Sequence, residues 1–155
     1  MADIAFGVIG IAGFAIQLAE SIKKLQIFAA KVKNAQVELG ELLENLEISV
    51  QWLDSISNAV NPATGIDPTL MAACEKLCRQ AVERIKKIAD ELDELRQTKR
   101  RRTALRAAWT APEMDRLWKK LEMSKADLHR AHSIYTAEQI RFENSDQGRK
   151  GRVEI

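Results

Sequence analysis

"LMAACEKLCRQAVERIKKIADELDEL", residues 70–95, decides the fold class. Its apolar positions Leu70, Cys74, Leu77, Ala81, Ile85, Ile88, Leu92 and Leu95 advance in steps of four and three. Such steps line one face of an α-helix, which turns once in about 3.6 residues, and they do not fit the two-residue alternation of a half-buried strand. Lys76, Arg79, Glu83 and Arg84 fall off that face, so the segment predicts an amphipathic helix with one side in a core.

The same steps recur on both sides of this stretch. Upstream lie Ile4, Val8, Ile11, Ala15, Leu18, Ile22, Leu25, Ala29 and Val32, then Leu39, Leu42, Leu46, Val50, Leu53, Ile56 and Val60. Downstream lie Met114, Leu117, Leu121, Ser124, Leu128, Ala131 and Tyr135. The breaks between them are chemically legible. In "NPATGIDPT", residues 61–69, Asp67 reads as an N-cap and Pro68 as the first helical residue. In "TAPEMD", residues 110–115, Thr110 or Ala111 precedes Pro112, and Glu113 and Asp115 suit the positive end of a helix dipole. No glycine or proline separates the first two helices; the predicted break is near Lys33–Asn34, with Asn34 as cap. Thr98 to Trp109 is either a loop or an extension of the third helix. From Asn144 the period is lost. The expectation is an all-α, antiparallel up-down four-helix bundle over residues 1–143 and a flexible tail over 144–155. Its predicted core includes Leu46, Leu53, Leu77, Ile85, Ile88, Leu117, Leu121 and Leu128.

Composition agrees with one globular domain. The chain has 155 residues, enough for a sizeable core, and 46% apolar with 30% charged residues is far from a disordered composition. A net charge of +2 gives no bulk argument for nucleic acid. Cys74 and Cys78 stand one helical turn apart, a poor geometry for a mutual disulfide, so a reducing cytoplasm is the expected compartment.

The first helix is the odd one. Between its seam residues lie Ala5, Phe6, Gly7, Ile9, Gly10, Ala12, Gly13, Phe14 and Ile16, so residues 4–16 are apolar on every side. A helix of that kind is enclosed by protein or in contact with lipid, and a four-helix bundle cannot enclose one of its own members completely. Gly7, Gly10 and Gly13 each lower helix propensity by roughly 1 kcal/mol against alanine, which makes the segment easy to extract. It is a poor secretory signal, since no basic residue precedes Lys23, and it is short for a span of about 20 apolar residues. The candidate membrane-inserting residues are Ile4, Phe6, Val8, Ile9, Ile11 and Phe14, with Gly7, Gly10 and Gly13 supplying flexibility.

Two basic runs accompany it. Lys23, Lys24, Lys31 and Lys33 fall in the last turns of the first helix, and "TKRRRTALR" places Lys99, Arg100, Arg101, Arg102 and Arg106 at the end of the third. In an up-down bundle both ends share a pole. Cations at helix C-termini satisfy the dipole, and near an anionic membrane each also contributes about 1 kcal/mol of attraction. Lys23, Lys24, Lys99, Arg100, Arg101 and Arg102 are the candidate lipid-contacting residues. No aromatic stacking platform accompanies the charge, so nucleic acid is not an expected partner.

Catalytic signatures do not emerge. There is no phosphate-cradling glycine loop, nucleophile elbow or zinc-protease motif. The only histidines, His129 and His132, share a helix, and with Cys74 and Cys78 they lack the spacing of a zinc module. The expectation is a non-enzymatic protein without metal or cofactor.

The glycine-dotted apolar start resembles that of the fungal HeLo-like domains. These stand at the N-terminus of fungal STAND (NLR-like) receptors and of small cell-death effectors. "AAWTAPEMDRLWKKLEMSKADLHRAH", residues 107–132, is similar to a segment of that family in which a Trp precedes a short loop and a leucine-bearing helix; here these are Trp109, Leu117, Leu121-Glu122 and Leu128. The resemblance implies a bundle related to the executioner bundle of the mixed-lineage kinase-like pseudokinases, in which the N-terminal helix permeabilises membranes. It implies partners of three kinds: anionic lipid on activation, further copies of the chain, and a fungal STAND receptor. "GRKGRVEI" is similar to the start of amyloid motifs that some such effectors carry C-terminal to this domain, which leaves a following signalling motif and none as alternatives. The expected function is execution of programmed cell death, as in heterokaryon incompatibility. A cytoplasmic protein would oligomerise and move to the plasma membrane. The alternative is a homotypic adaptor module in the same receptor pathway.

Overall fold

The computed structural model describes the backbone of residues 2–57, 68–99 and 101–153, and the side chains of residues 13–32, 35–56, 69–99, 101–112, 114–141 and 144. The elements are α1 (Ala2–Lys31), α2 (Lys33–Ser57), α3 (Pro68–Thr98), α4 (Arg102–Trp109) and α5 (Pro112–Val153), and no strand occurs among the described residues. Among the described residues the predicted period of three and four is thus helix, while Val60 lies outside them. Leu46, Leu53, Ile85, Ile88, Leu121 and Leu128 are buried, while Leu77 and Leu117 are half-buried against the same core.

Specific contacts fix how the long helices lie. α1 and α2 are joined by Val32 alone and fold back on each other, with Gln26 Nε2 donating to Glu47 Oε1 at 2.8 Å. α3 and α5 are also antiparallel: the Cys74 thiol donates to the Ala131 carbonyl at 3.4 Å, Arg84 pairs with Asp127, and Leu92 and Leu95 face Met114 and Leu117. The two hairpins then meet in like directions. Lys24 pairs with Asp90 at 2.6 Å, and Lys31 shares a depression with Arg96 and Thr98, so α1 runs parallel to α3. Glu38 meets Trp118, and Trp52 stacks on His132, so α2 runs parallel to α5. The four long helices therefore alternate in direction along the chain, with α1 and α3 ending at one pole. α1, with Leu18, Leu25 and Phe28 fully buried, packs against both α2 and α3.

Other differences from the expectation have local causes. The first break, expected near Lys33–Asn34, falls at Val32. The Val32 carbonyl accepts from the amides of Ala35 (3.0 Å) and Gln36 (3.2 Å), which starts α2. Ala29, Val32 and Ala35 are all buried at the corner, and the side chain of Asn34, the expected cap, lies outside the described residues. Thr98 to Trp109 is neither loop nor extension: it contains a separate helix, α4. Pro68 and Pro112 each open a helix as predicted, whereas Asp67 lies outside the described residues. Backbone helix continues past Asn144 to Val153, through most of the segment expected to be a tail.

Buried hydroxyls are satisfied within their own helices. Ser21, Ser49 and Ser124 donate to the carbonyls of Gln17 (2.8 Å), Asn45 (3.2 Å) and Lys120 (2.8 Å). Back-bonding of this kind lets a small polar residue occupy the seam without an unpaired group, which explains the serine in the fourth apolar series.

Candidate functional site

α1 changes character along its length. From Ala15 onward it places Leu18, Ser21, Ile22, Leu25, Phe28, Ala29 and Val32 in the core. Phe14 is half-buried against that core, while Ile16 is 61% exposed. Gly13 faces open space: a Cβ added there meets nothing within 4 Å. Ile4, Phe6, Val8, Ile9 and Ile11 lie on helical backbone of α1, as do Gly7 and Gly10, and their surroundings fall outside the described residues. Among the described residues no helix is long and apolar enough to cross a membrane.

The basic candidates separate into two groups. Lys31, Lys99, Arg101, Arg102 and Arg106 are exposed around the pole where α1 and α3 end. Two adjoining depressions share Lys31, and the second brings it together with Arg102 and Arg106. One is lined by Lys31, Arg96, Thr98 and Leu105, the other by Lys31, Val32, Gln36, Arg102 and Arg106. Among the described residues none of those five exposed cations is in an ion pair, whereas Arg96 is held by Asp93 at 3.0 Å. Lys24 is not part of this cluster. It stands seven residues before Lys31, about 10 Å back along the helix, and the hydrogen bond to Asp90 holds its ammonium above the usual lysine range. Lys23 is exposed at the same level as Lys24, and Arg100 lies outside the described residues.

α4 forms the floor of the pole. Leu105 and Trp109, one turn apart, are its buried residues. The Trp109 ring lies 5.6 Å from that of Phe28 on α1, tilted by 52°, and its Nε1–H donates to Glu38 Oε2 on α2 at 3.0 Å. Thr110 ends the helix, its hydroxyl donating to the carbonyls of Arg106 and Ala107, both at 3.1 Å. No side chain caps the N-terminus of α4. Eight residues are too few for a stable isolated helix, so α4 depends on these two anchors. The sequence contained a signal for them: Leu25, Phe28, Ala29 and Val32 follow helical spacing, and only counting every apolar residue brings Phe28 onto the stripe.

The Cys and His residues diverge. Cys74 and Cys78 face the α3–α5 core, and burial pushes the Cys78 thiol up to about 12. Burial, reinforced by the nearby Glu138 carboxylate, also raises Cys74. His132 turns instead to α2, stacking on Trp52 with ring centroids 4.9 Å apart, and His129 is exposed. Among the described residues no three His, Cys, Asp or Glu side chains are grouped to hold a metal.

No protein-family model matches the chain, and neither a curated protein nor a solved structure matches it significantly. The functional reading therefore rests on the residues themselves.

Proposed function

We propose that this protein is a HeLo-like cell-death effector, a helical bundle that permeabilises membranes with the N-terminal half of α1 after self-association. The observation that carries the reading is the change of character within α1. Its second half is fastened into the core, and its first half is apolar at positions that the seam does not use. At about 1.5 Å per residue, residues 4–16 make a helix of roughly 20 Å, against a hydrocarbon core of about 30 Å. One copy therefore reaches through one leaflet, and clustering of several copies with local thinning completes the disruption. Lys31, Lys99, Arg101, Arg102 and Arg106, with Arg100, supply attraction to anionic headgroups. The activating partner would be a STAND-type receptor or a C-terminal signalling motif, with the resting protein in the cytoplasm and the active one at the plasma membrane.

Gly13→Glu tests this reading. The open space at Gly13 admits the new side chain without a clash in the folded bundle. A charge at mid-bilayer costs about 2.5–3.5 kcal/mol on insertion scales. The expected result is a cooperatively melting variant that no longer releases dye from phosphatidylserine vesicles or kills cells on forced oligomerisation. A folded, fully active variant removes lipid insertion and leaves the homotypic adaptor reading.

A further inference from the structure

The basic pole and the apolar half of α1 lie at opposite ends of the folded bundle. Val32 marks the pole, and Phe14 to Ile4 lie about 27 to 42 Å from it along α1. A membrane held by Lys31, Arg102 and Arg106 is thus on the wrong side for the segment that should enter it. The corner between α1 and α2 resolves the conflict. It is one non-helical residue, and "AAKVKNAQ", residues 29–36, contains neither glycine nor proline, so nothing in it prevents helix from running straight through.

We infer that α1 opens like a jack-knife about Val32, α1 and α2 becoming one continuous helix, and that α4 is the clasp that keeps the corner folded. The straightened helix carries Ile4–Phe14 from one end of the bundle to about 27 to 42 Å beyond Val32, so that the apolar half reaches the bilayer ahead of the pole. α4 sits over the hinge itself: Arg102, Thr103 and Arg106 share a depression with Ala30, Lys31, Val32 and Gln36. Its apolar side holds α1 through Phe28 and α2 through Glu38, and its other side presents Arg102 and Arg106. An anionic surface that draws those arginines outward pulls on Trp109. Opening uncovers Leu18, Leu25 and Phe28 together with the groove they leave, and a second copy offers the matching surfaces, which couples opening to self-association. This inference rests on the proposed release of α1, and it names the hinge and the trigger.

Lys33→Pro separates the two shapes. Lys33 is the first residue of α2, a position that favours proline, whereas in a continuous helix proline removes a hydrogen bond and clashes with the preceding turn. Spin labels at Gln26→Cys and Glu47→Cys, with Cys74 and Cys78 replaced by alanine, report the shape: those side chains touch in the hairpin and stand about 32 Å apart in a straight helix. Phosphatidylserine vesicles under forced oligomerisation should create the long distance in the otherwise native chain and not in Lys33→Pro, which should bind the vesicles and melt as before. Glu38→Ala, which frees Trp109, should raise the long-distance fraction severalfold. Lengthening undiminished by Lys33→Pro overturns the straight helix, and no rise with Glu38→Ala overturns the clasp. A short distance while vesicles leak overturns the hinge and leaves permeabilisation standing. Lengthening without leakage supports the hinge and rejects permeabilisation, and vesicles that cause neither reject both.

Discussion

Residues 15–32 and residues 4–14 belong to one helix and obey one seam, yet they answer to different demands. In the second half, core residues Leu18, Ile22, Leu25 and Phe28 alternate with Gln17, Glu20, Lys23 and Gln26, as on any helix with one side in water. In the first half the seam continues, but its polar counterpart is missing. The described core contacts of α1 thus start at Phe14, and the off-seam apolar residues of its sequence precede them. On the proposed function, one helix is fastened at one end and released at the other, with Phe14, half-buried beside open Gly13, at the boundary.

Truncations should break the comparison hardest. Phe28→Ala should cost about 3–5 kcal/mol in denaturant unfolding, because it removes a fully buried ring and the partner of Trp109. Ile9→Ala should cost much less. Equal losses at the two sites would mean that α1 is fastened along its whole length.

Next in size is the basic pole. Replacing Lys99, Arg101, Arg102 and Arg106 with glutamine should weaken binding to anionic vesicles by about 1 kcal/mol per charge, roughly fivefold each. The loss should fade as salt rises and leave thermal melting in place. Binding that is unchanged at low salt would assign those cations to helix dipoles alone.

Alkaline pH probes the fastened half through its neighbour α3. The Cys78 thiol is held neutral up to about 12 in the fold, against an ordinary value of 9.0. The unfolded chain then loses its proton first, so stability is complete below pH 9 and declines as pH rises toward the folded value. The slope is about 1.4 kcal/mol per pH unit from this group, and Tyr135 and Cys74, also raised by burial, act in the same direction. Cys78→Ala should flatten the decline between pH 9 and pH 11 in urea titrations. An identical slope in that variant would contradict the burial of this thiol.

The smallest effect sharpens the boundary. Gly40 in α2 and Gly13 in α1 both have open space where a Cβ would stand. Alanine at Gly40 should stabilise by about 0.5–1 kcal/mol. At Gly13 the gain should be smaller if that turn opens readily, and an equal gain would place Gly13 within the fastened half.

Much of the fold was legible because a three-four period survives in every long helix and prolines mark two of its starts. The pairing of the helices was not, since an apolar stripe states that a face is covered and not by which neighbour. The corner at Val32 could be placed only approximately, because no glycine or proline marks it and it packs through buried Ala29, Val32 and Ala35. α4 escaped because its anchors, Leu105 and Trp109, are too few to make a period, and their partners Phe28 and Glu38 are distant in sequence. Of the candidate site, the exposed cations at the end of α3 could be read directly, whereas the removal of Lys24 to an ion pair with Asp90 depends on tertiary packing.

The most direct measurement of the central claim is dye release from phosphatidylserine vesicles by a chain lacking residues 2–13, followed beside its thermal melting under forced oligomerisation. The division of α1 predicts a cooperative transition within a few degrees of the intact chain and no dye release. Undiminished release by the shortened chain, or loss of its cooperative melting, would contradict it.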